Sequence, residues 1–182
     1  MHTSAERPRT APSAVLFDRD GTIVVDVPYN GDPSLVRPMA GAKEVLDGLR
    51  SRGIPVGVVT NQSGIARGLV TRGQVDAVNA RVEELLGPFD VWEVCPHGSG
   101  DGCACRKPEP GMVLSATARL GLEPGEVALI GDIGADMGAA AAAGARGVLV
   151  PTDITLQDEV RDAPAVAGTL AGAVDLLWAG TT

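Results

Sequence analysis

The sequence predicts an α/β fold, a doubly wound parallel sheet with helices on both faces. Two observations carry this expectation. Short runs rich in Val and Ile alternate with longer segments of helical periodicity, and those runs are apolar throughout instead of alternating with polar residues. Strands apolar on both faces belong to parallel sheets covered by helices on each side. A chain of 182 residues, 45% hydrophobic and 21% charged, is that of a soluble single domain able to bury a core without disulfides.

The elements follow in order. Residues 14–18 are an apolar run ending in a carboxylate, the first strand. A Pro-, Gly- and Asp-rich loop over 25–38 leads to a helix at 41–52, where Ala42, Val45, Leu46 and Leu49 share one face and Gly53 can stop the turn. Residues 54–60 are a β-branched strand. Residues 71–86 are a helix with Thr71 as N-cap and Gly87-Pro88 as terminator. A third strand is expected at 89–94, then a Gly- and Cys-rich loop. Beyond it the pattern gives a helix at 111–120, a strand at 127–131, a helix at 135–143, a strand at 147–150 and a closing helix at 165–178.

Composition narrows the function classes. With aromatics at 3%, the core is built from Val, Leu, Ile and Ala, and the net charge of −8 argues against broad nucleic-acid or membrane-surface binding, both of which need a basic face. No apolar run reaches the length of a membrane span. Residues 1–12 are polar, lack the apolar stretch of a signal peptide and read as a frayed tail. All three cysteines fall between Cys95 and Cys105, a poor basis for a disulfide framework, so the cytoplasm is the expected compartment. Without a heptad pattern, a monomeric single domain spanning 1–182 is the default.

In such folds ligands sit beyond the carboxyl ends of the strands. The first strand runs into Asp18-Arg19-Asp20-Gly21-Thr22, where two carboxylates two positions apart face the same way. A hard cation, Mg²⁺ above all, relieves that repulsion, and an Asx-rich turn around Gly21 is the plainer alternative. After the second strand come Thr60 and Asn61, a hydroxyl and an amide able to bond a phosphate oxygen, and Lys107 is placed to neutralise a phosphate. Asp132 ends the fourth strand and Asp136 lies four residues on, an N-cap or a metal ligand. Cys95, His97, Cys103 and Cys105 form a second constellation in a loop containing Gly98, Gly100 and Gly102. Three thiols and an imidazole are the four soft ligands of a closed structural Zn²⁺ site, against the alternative of free buried cysteines with His97 exposed. A closed set pins a loop, and here it would place Arg106 and Lys107 directly after it.

Taken together, Asp18-x-Asp20-Gly21-Thr22, Thr60, Lys107 and Gly131-Asp132-x3-Asp136 resemble the ordered signature of the HAD (haloacid dehalogenase) superfamily phosphatases, across residues 14–151. The resemblance implies a HAD-like Rossmannoid fold and a set of roles. Asp18 would be the nucleophile forming an aspartyl-phosphate, and Asp20 the acid and then the base. Mg²⁺ would be held by Asp18, the Asp20 carbonyl and Asp132. Thr60 and Lys107 would hold the phosphoryl oxygens, with Asp136 supporting Lys107 or the metal shell.

The zinc loop running into Arg106-Lys107-Pro108-x-Pro110-Gly111-Met112, with Thr60-Asn61-Gln62-Ser63-Gly64-Ile65-Ala66-Arg67-Gly68, is similar to the branch of D,D-heptose 1,7-bisphosphate and histidinol-phosphate phosphatases, favouring the heptose side. By that likeness Asp26, Tyr29, Asn61, Gln62, Ser63 and Arg106 would join Thr60 and Lys107 in contacting a phosphorylated sugar, with Arg106 gripping the sugar or its distal phosphate. Ile133 departs from the branch, which tends to carry a basic residue there. The spacings leave no room for a cap domain, so the site is expected to be open, rimmed by residues 26–37, 62–68 and 98–106. Rival readings are a histidinol-phosphate phosphatase and a non-catalytic phosphosugar-binding module. Transfer of the phosphoryl group to an acceptor other than water is a further alternative.

Overall fold

The structure, a computed structural model, describes residues 10–179, so most of the expected tail at 1–12 lies outside the described residues. Five strands, β1 (Ala14–Phe17), β2 (Val56–Asn61), β3 (Val91–Cys95), β4 (Val127–Gly131) and β5 (Arg146–Leu149), form one parallel sheet in the order β3-β2-β1-β4-β5. Six α-helices are described: α1 (Ala42–Ser51), α2 (Arg72–Leu86), α3 (Gly111–Leu120), α4 (Gly134–Ala143), α5 (Gln157–Asp162) and α6 (Leu170–Trp178).

The central strands β1, β2 and β4 are buried on both faces, as their composition requires, while the edge strands β3 and β5 are partly buried. Val15 and Phe17 of β1 point into a core shared with Leu46 and Leu49 of α1, Val78 and Val82 of α2, and Ala173 and Leu177 of α6. Ala14 and Leu16, one residue out of phase, enter the opposite core with Met112 and Val113 of α3 and Ala139 and Ala140 of α4. No added cap covers the sheet's carboxyl end among the described residues, which fits the expected capless domain. No described helix is long and apolar enough to cross a membrane.

Local chemistry sets the helix ends. Thr71 and Gln74 cap α2 reciprocally: the Gln74 amide donates to Thr71 Oγ1 at 3.2 Å, and the Thr71 amide to Gln74 Oε1 at 2.8 Å. Three departures from expectation have physical causes. The closing helix begins at Leu170 and not at residue 165, because Val166 makes a parallel bridge to Leu149 and so extends the sheet edge. Thr169, whose hydroxyl accepts from the Gly172 amide at 3.0 Å, then starts α6. The six-residue α5 and the 3-10 turns Pro33–Leu35 and Pro124–Glu126 were not expected, for they are too short to show an apolar period. The second strand starts at Val56, after Pro55, which has no N–H for the ladder.

The chain steps outward from β1 to β2 and β3, then crosses back to β4 on the other side of β1. That reversal opens a crevice at the carboxyl ends of the central strands. Register places the segments that follow them side by side, since Phe17 pairs with Val58 and with Ile130.

Candidate active site

Asp18 leaves β1 with its amide donating to the Ile130 carbonyl at 2.9 Å, so it emerges against the end of β4. The chain then turns within four residues: the amides of Ile23 and Val24 both donate to the Arg19 carbonyl, at 3.0 and 3.1 Å. Gly21 makes the turn possible with φ +80°, and a Cβ there would overlap the Asp132 carboxylate. Asp18, Asp132 and Asp136 therefore converge, with carboxylate oxygens all within 4.8 Å of one another and all three residues buried.

One cation balances them. The Lys107 ammonium, 3% exposed as a residue, lies 2.8 Å from Asp18 Oδ1 and 2.6 Å from Asp136 Oδ1, and donates to the Val59 carbonyl at 2.9 Å. Burial opposes that charge, but the Asp136 and Asp18 carboxylates outweigh it and push the Lys107 pKa up. Three carboxylates against one ammonium leave an excess of negative charge. Burial and the Asp136 charge, resisted by Lys107, push the Asp18 carboxyl up to about 8. Burial and Asp136 likewise raise Asp132 to about 7. A site whose acids resist ionisation for want of positive charge fits a divalent cation with oxygen ligands.

Asp136 faces inward from the first turn of α4 and takes part in its cap. Its Oδ2 accepts from the amides of Asp132 and Ile133 at 3.1 and 3.2 Å while its Oδ1 meets Lys107. With one oxygen capping a helix and the other paired, it supports the lysine. Asp132 is steadied by Thr155, whose hydroxyl donates to its carbonyl at 2.6 Å, and by Thr22, 3.4 Å from its Oδ1.

Asp20 shares the strand-end direction of Asp18. Its Oδ1 accepts from Arg19 Nε at 3.1 Å, and its Oδ2 from Arg19 Nη2 and Gln62 Nε2, both at 2.9 Å. Gln62 Nε2 also donates to Thr60 Oγ1 at 2.9 Å. Asn61 clamps the Lys107 backbone: its Nδ2 donates to the Lys107 carbonyl at 3.2 Å and its Oδ1 accepts the Lys107 amide at 3.1 Å. Its amide is thus engaged with the loop as well as facing the cleft.

These residues line an open cleft of about 320 Å³. Asp18, Asp20, Asp26, Tyr29, Thr60, Asn61, Gln62, Ser63, Arg106, Lys107 and Asp132 all face it, while Asp136 lies behind Lys107. Tyr29, at φ +53°, is propped by Arg67, which donates to its hydroxyl at 2.7 Å and stacks on its ring at 5.6 Å. Burial and the Asp20 charge raise the Asp26 pKa. Of the expected rim, residues 26–30 of the first segment and 62–64 of the second line this cleft, residues 31–37 and 65–68 do not, and of residues 98–106 only Arg106 reaches it. Ile133 and Ile154 form an apolar side of the wall instead.

Sequence reasoning assigned no role to Arg19, Asn79, Thr155 or Glu159. Arg19 was visible as a charge locked between two acids. The others act across the fold: Glu159 of α5, for instance, accepts the Gly134 amide at the start of α4 at 2.9 Å, a contact no local pattern announces.

The second constellation also assembles. Cys95, at the end of β3, with His97, Cys103 and Cys105, brings its ligand atoms within 4.8 Å of one another. Separations run from 2.8 Å (Cys95 Sγ to Cys105 Sγ) through 3.2 Å (His97 Nδ1 to Cys105 Sγ) to 3.7 Å (Cys95 Sγ to Cys103 Sγ). The edges of a tetrahedron with metal–sulfur bonds of about 2.3 Å are roughly 3.7 Å, so the cluster is compatible with a structural metal. Burial and the neighbouring thiols push Cys105 up to about 12, and burial raises Cys95. At Cys103 burial is outweighed by hydrogen bonds from the Arg106 backbone and the Cys105 side chain, which lower it to about 7. The three thiols therefore ionise unequally, and added positive charge favours all three thiolates.

Comparison with known proteins agrees with this arrangement. A HAD-hydrolase-like family model matches residues 104–175. Similar sequences include the D-glycero-beta-D-manno-heptose-1,7-bisphosphate 7-phosphatases of Pseudomonas aeruginosa, 37% identical over 77% of this chain and 82% of that protein, and of Mesorhizobium japonicum, 42% identical over 79% and 72%. Among solved structures, the D,D-heptose 1,7-bisphosphate phosphatase of B. bronchiseptica, complexed with magnesium and phosphate, superposes with a TM-score of 0.80 at 29% identity, covering 90% of this chain and 97% of that one. A putative HAD-like phosphatase from Mesorhizobium loti gives 0.75 at 36% identity, covering 97% and 88%. The chain belongs to the heptose-bisphosphate phosphatase family of the HAD phosphatases.

Proposed function

We propose that the protein is a Mg²⁺-dependent phosphatase that hydrolyses D-glycero-D-manno-heptose 1,7-bisphosphate to the 1-phosphate through an aspartyl-phosphate on Asp18. The observation that carries this reading is the buried cluster of Asp18, Asp132 and Asp136 around Lys107 at the cleft floor, short of positive charge. Mg²⁺ held by Asp18, the Asp20 carbonyl and Asp132 would supply that charge and offset the phosphoryl oxygens.

The protein's own groups account for the rest. Lys107 orients Asp18 from one carboxylate oxygen at 2.8 Å, and with Thr60 bonds the phosphoryl oxygens. An Asp18 oxygen attacks phosphorus, the phosphorus–oxygen bond to the sugar breaks, and the leaving oxygen takes a proton from Asp20. In the second half a water attacks the phosphorus of the aspartyl-phosphate and gives its proton to Asp20. Phosphate leaves and Asp18 is restored. Asp26, Tyr29, Gln62, Ser63 and Arg106 contact the sugar and its distal phosphate, with Arg106 supplying a cation on the cleft wall.

The test is phosphate release with Mg²⁺ from both anomers of the heptose bisphosphate, with histidinol phosphate alongside. Turnover of a heptose anomer at a kcat/KM well above that of histidinol phosphate is expected; the reverse preference assigns the sister activity. Hydrolysis of none of the three, by a folded protein loaded with Mg²⁺, removes the reading.

Zn²⁺ is the metal proposed for Cys95, His97, Cys103 and Cys105, where it pins the loop that delivers Arg106 and Lys107. Cys103→Ser is expected to lose most of the bound zinc, read by atomic absorption. Its melting temperature should fall by roughly 5–15 °C, from several kcal/mol of lost metal binding at about 2–4 °C per kcal/mol. Unchanged zinc stoichiometry would end the zinc assignment.

A further inference from the structure

Cationic side chains and free helix amides are what a cleft offers a phosphate, and this cleft offers them on one side. Three cations line it: Arg19, Arg106 and Lys107. Arg19 is engaged with Asp20 and Asn79, and Lys107 with Asp18 and Asp136. The Arg106 guanidinium makes one hydrogen bond among the described residues, from Nη1 to the His97 carbonyl at 3.3 Å, which leaves donors for a ligand. It arrives from the loop after β3. On the other side of Asp18, where the chain leaves β4 and β5, the lining is Asp132, Ile133 and Ile154. The amides at the start of α4 are already taken there. Asp136 Oδ2 accepts those of Asp132 and Ile133 at 3.1 and 3.2 Å, and Glu159 Oε1 accepts that of Gly134 at 2.9 Å.

This apolar wall is held in place before any ligand arrives. The Thr155 hydroxyl donates to the Asp132 carbonyl at 2.6 Å and accepts the Thr152 amide at 2.8 Å. Ile133 follows Asp132 and Ile154 precedes Thr155, so that bond fixes both backbones. Ile154 is 61% exposed at the mouth, apolar area that a ligand can cover. An anion set against two isoleucines loses water and gains no partner. We propose that Ile133 and Ile154 are specificity-determining residues that seat an uncharged, C–H-rich face of the leaving group, so that a second phosphate is accepted only from the Arg106 side. The inference rests on phosphoryl transfer to Asp18 and deepens the proposed function by naming what selects the leaving group.

Two phosphoryl donors with different leaving groups read the wall without a sugar. 4-Nitrophenyl phosphate brings an aromatic ring to be seated, and acetyl phosphate only a short acyl group. With Mg²⁺, the ratio of their kcat/KM values separates the seat from the chemistry at phosphorus. Ile133→Thr combined with Ile154→Ser is expected to lower that aryl-to-acetyl ratio by about tenfold, the scale of about two methylene groups left unburied. Ile133 is the N-cap of α4, where Thr is favoured, and Ile154 is exposed, so the double variant should keep the fold. Should it lack a cooperative melting transition, Ile154→Ser alone carries the test, with a fall of about threefold expected. An unchanged ratio overturns the inference, because a merely structural role slows both donors alike.

Ile133→Lys sets an ammonium on the wall. The anomers of heptose bisphosphate differ in the direction of the C1 phosphate, so only the anomer that turns it away from Arg106 gains by the change. Its kcat/KM is expected to rise and the anomer ratio to narrow by about tenfold, the scale of one charge-assisted hydrogen bond. An anomer ratio equal to that of wild type again overturns the inference. Turnover of neither anomer by the wild type removes the heptose reading, while the aryl-to-acetyl ratio still decides the role of the wall.

Discussion

Replacing Asp18 with Asn is expected to lower kcat by at least about 10⁴-fold, on the scale seen when a covalent nucleophile is removed, while the fold survives. The amide keeps the shape of the side chain and an oxygen for its partners, the Arg19 amide at 2.7 Å and the Lys107 ammonium at 2.8 Å, but it cannot form the acyl-phosphate. The same substitution tests the charge argument. In the metal-free protein the Asp18 carboxyl is raised from its ordinary 3.8 to about 8, by burial and the Asp136 charge against the pull of Lys107. A raised carboxyl binds its proton more tightly folded than unfolded, so metal-free stability falls as pH rises from near 4 towards 8. Asn carries no such charge, so Asp18→Asn should lose less stability than wild type between pH 5 and pH 8 in chelator. Part of the loss remains, because Asp132 is raised too. Mg²⁺ should restore the wild type at pH 8, as thermal melts would show. Turnover within tenfold of wild type would remove Asp18 as nucleophile, and equal pH sensitivity of the two proteins would place the charge strain elsewhere.

The fold and the candidate site residues were legible for the same reason. Strands buried on both faces write themselves as apolar runs, and a strand that ends on a polar group announces the cleft. Asp18 and Asp132, which directly follow β1 and β4, and Thr60, within β2 near its end, could be placed by local pattern alone, and the structure brings all three to one crevice. The ambiguity at Asp136, cap or ligand, was a real one: the carboxylate caps α4 with one oxygen and pairs with Lys107 through the other. A sequence shows that a carboxylate stands in a first helical turn but not which way its second oxygen points.

The unread parts are those where the partner is distant in sequence. Ile154 meets the cleft from a loop whose approach is fixed by Thr155 bonding the Asp132 carbonyl, a contact across 23 positions. The start of α6 was misplaced because residues 165–167 are apolar enough for a helix, and only pairing with Leu149 at the sheet edge selects the extended form. Residues 98–106 were expected to rim an uncapped site, but 98–105 do not reach it. Drawing His97, Cys103 and Cys105 together at the end of β3 turns them away from the cleft. In each case tertiary contact outweighed a local preference.

Lys107→Met should be the most destabilising single change at the site, because the lysine is the cation that the three acids share. It pairs with Asp18 and Asp136 in a nearly water-free setting, and its own backbone is fastened by Asn61. Removing one partner of a buried ion pair leaves uncompensated charge, at a cost of about 3–5 kcal/mol. For a domain of this size that lowers the melting temperature by roughly 6–20 °C, at about 2–4 °C per kcal/mol. The loss should be smaller at pH 5 than at pH 8, since the acids can take up protons in place of the missing cation. Mg²⁺ should recover part of the stability by returning positive charge beside Asp18 and Asp132. Activity should not follow, because a cation contact to the phosphoryl group is gone; a fall in kcat of about 10²–10³-fold is the scale for one such donor. Adding Asp136→Asn removes one of the stranded charges, so the double variant should melt higher than Lys107→Met alone. Should the double variant melt no higher, the cost lies in lost packing of the lysine stem, and the charge balance assigned to this cluster is wrong.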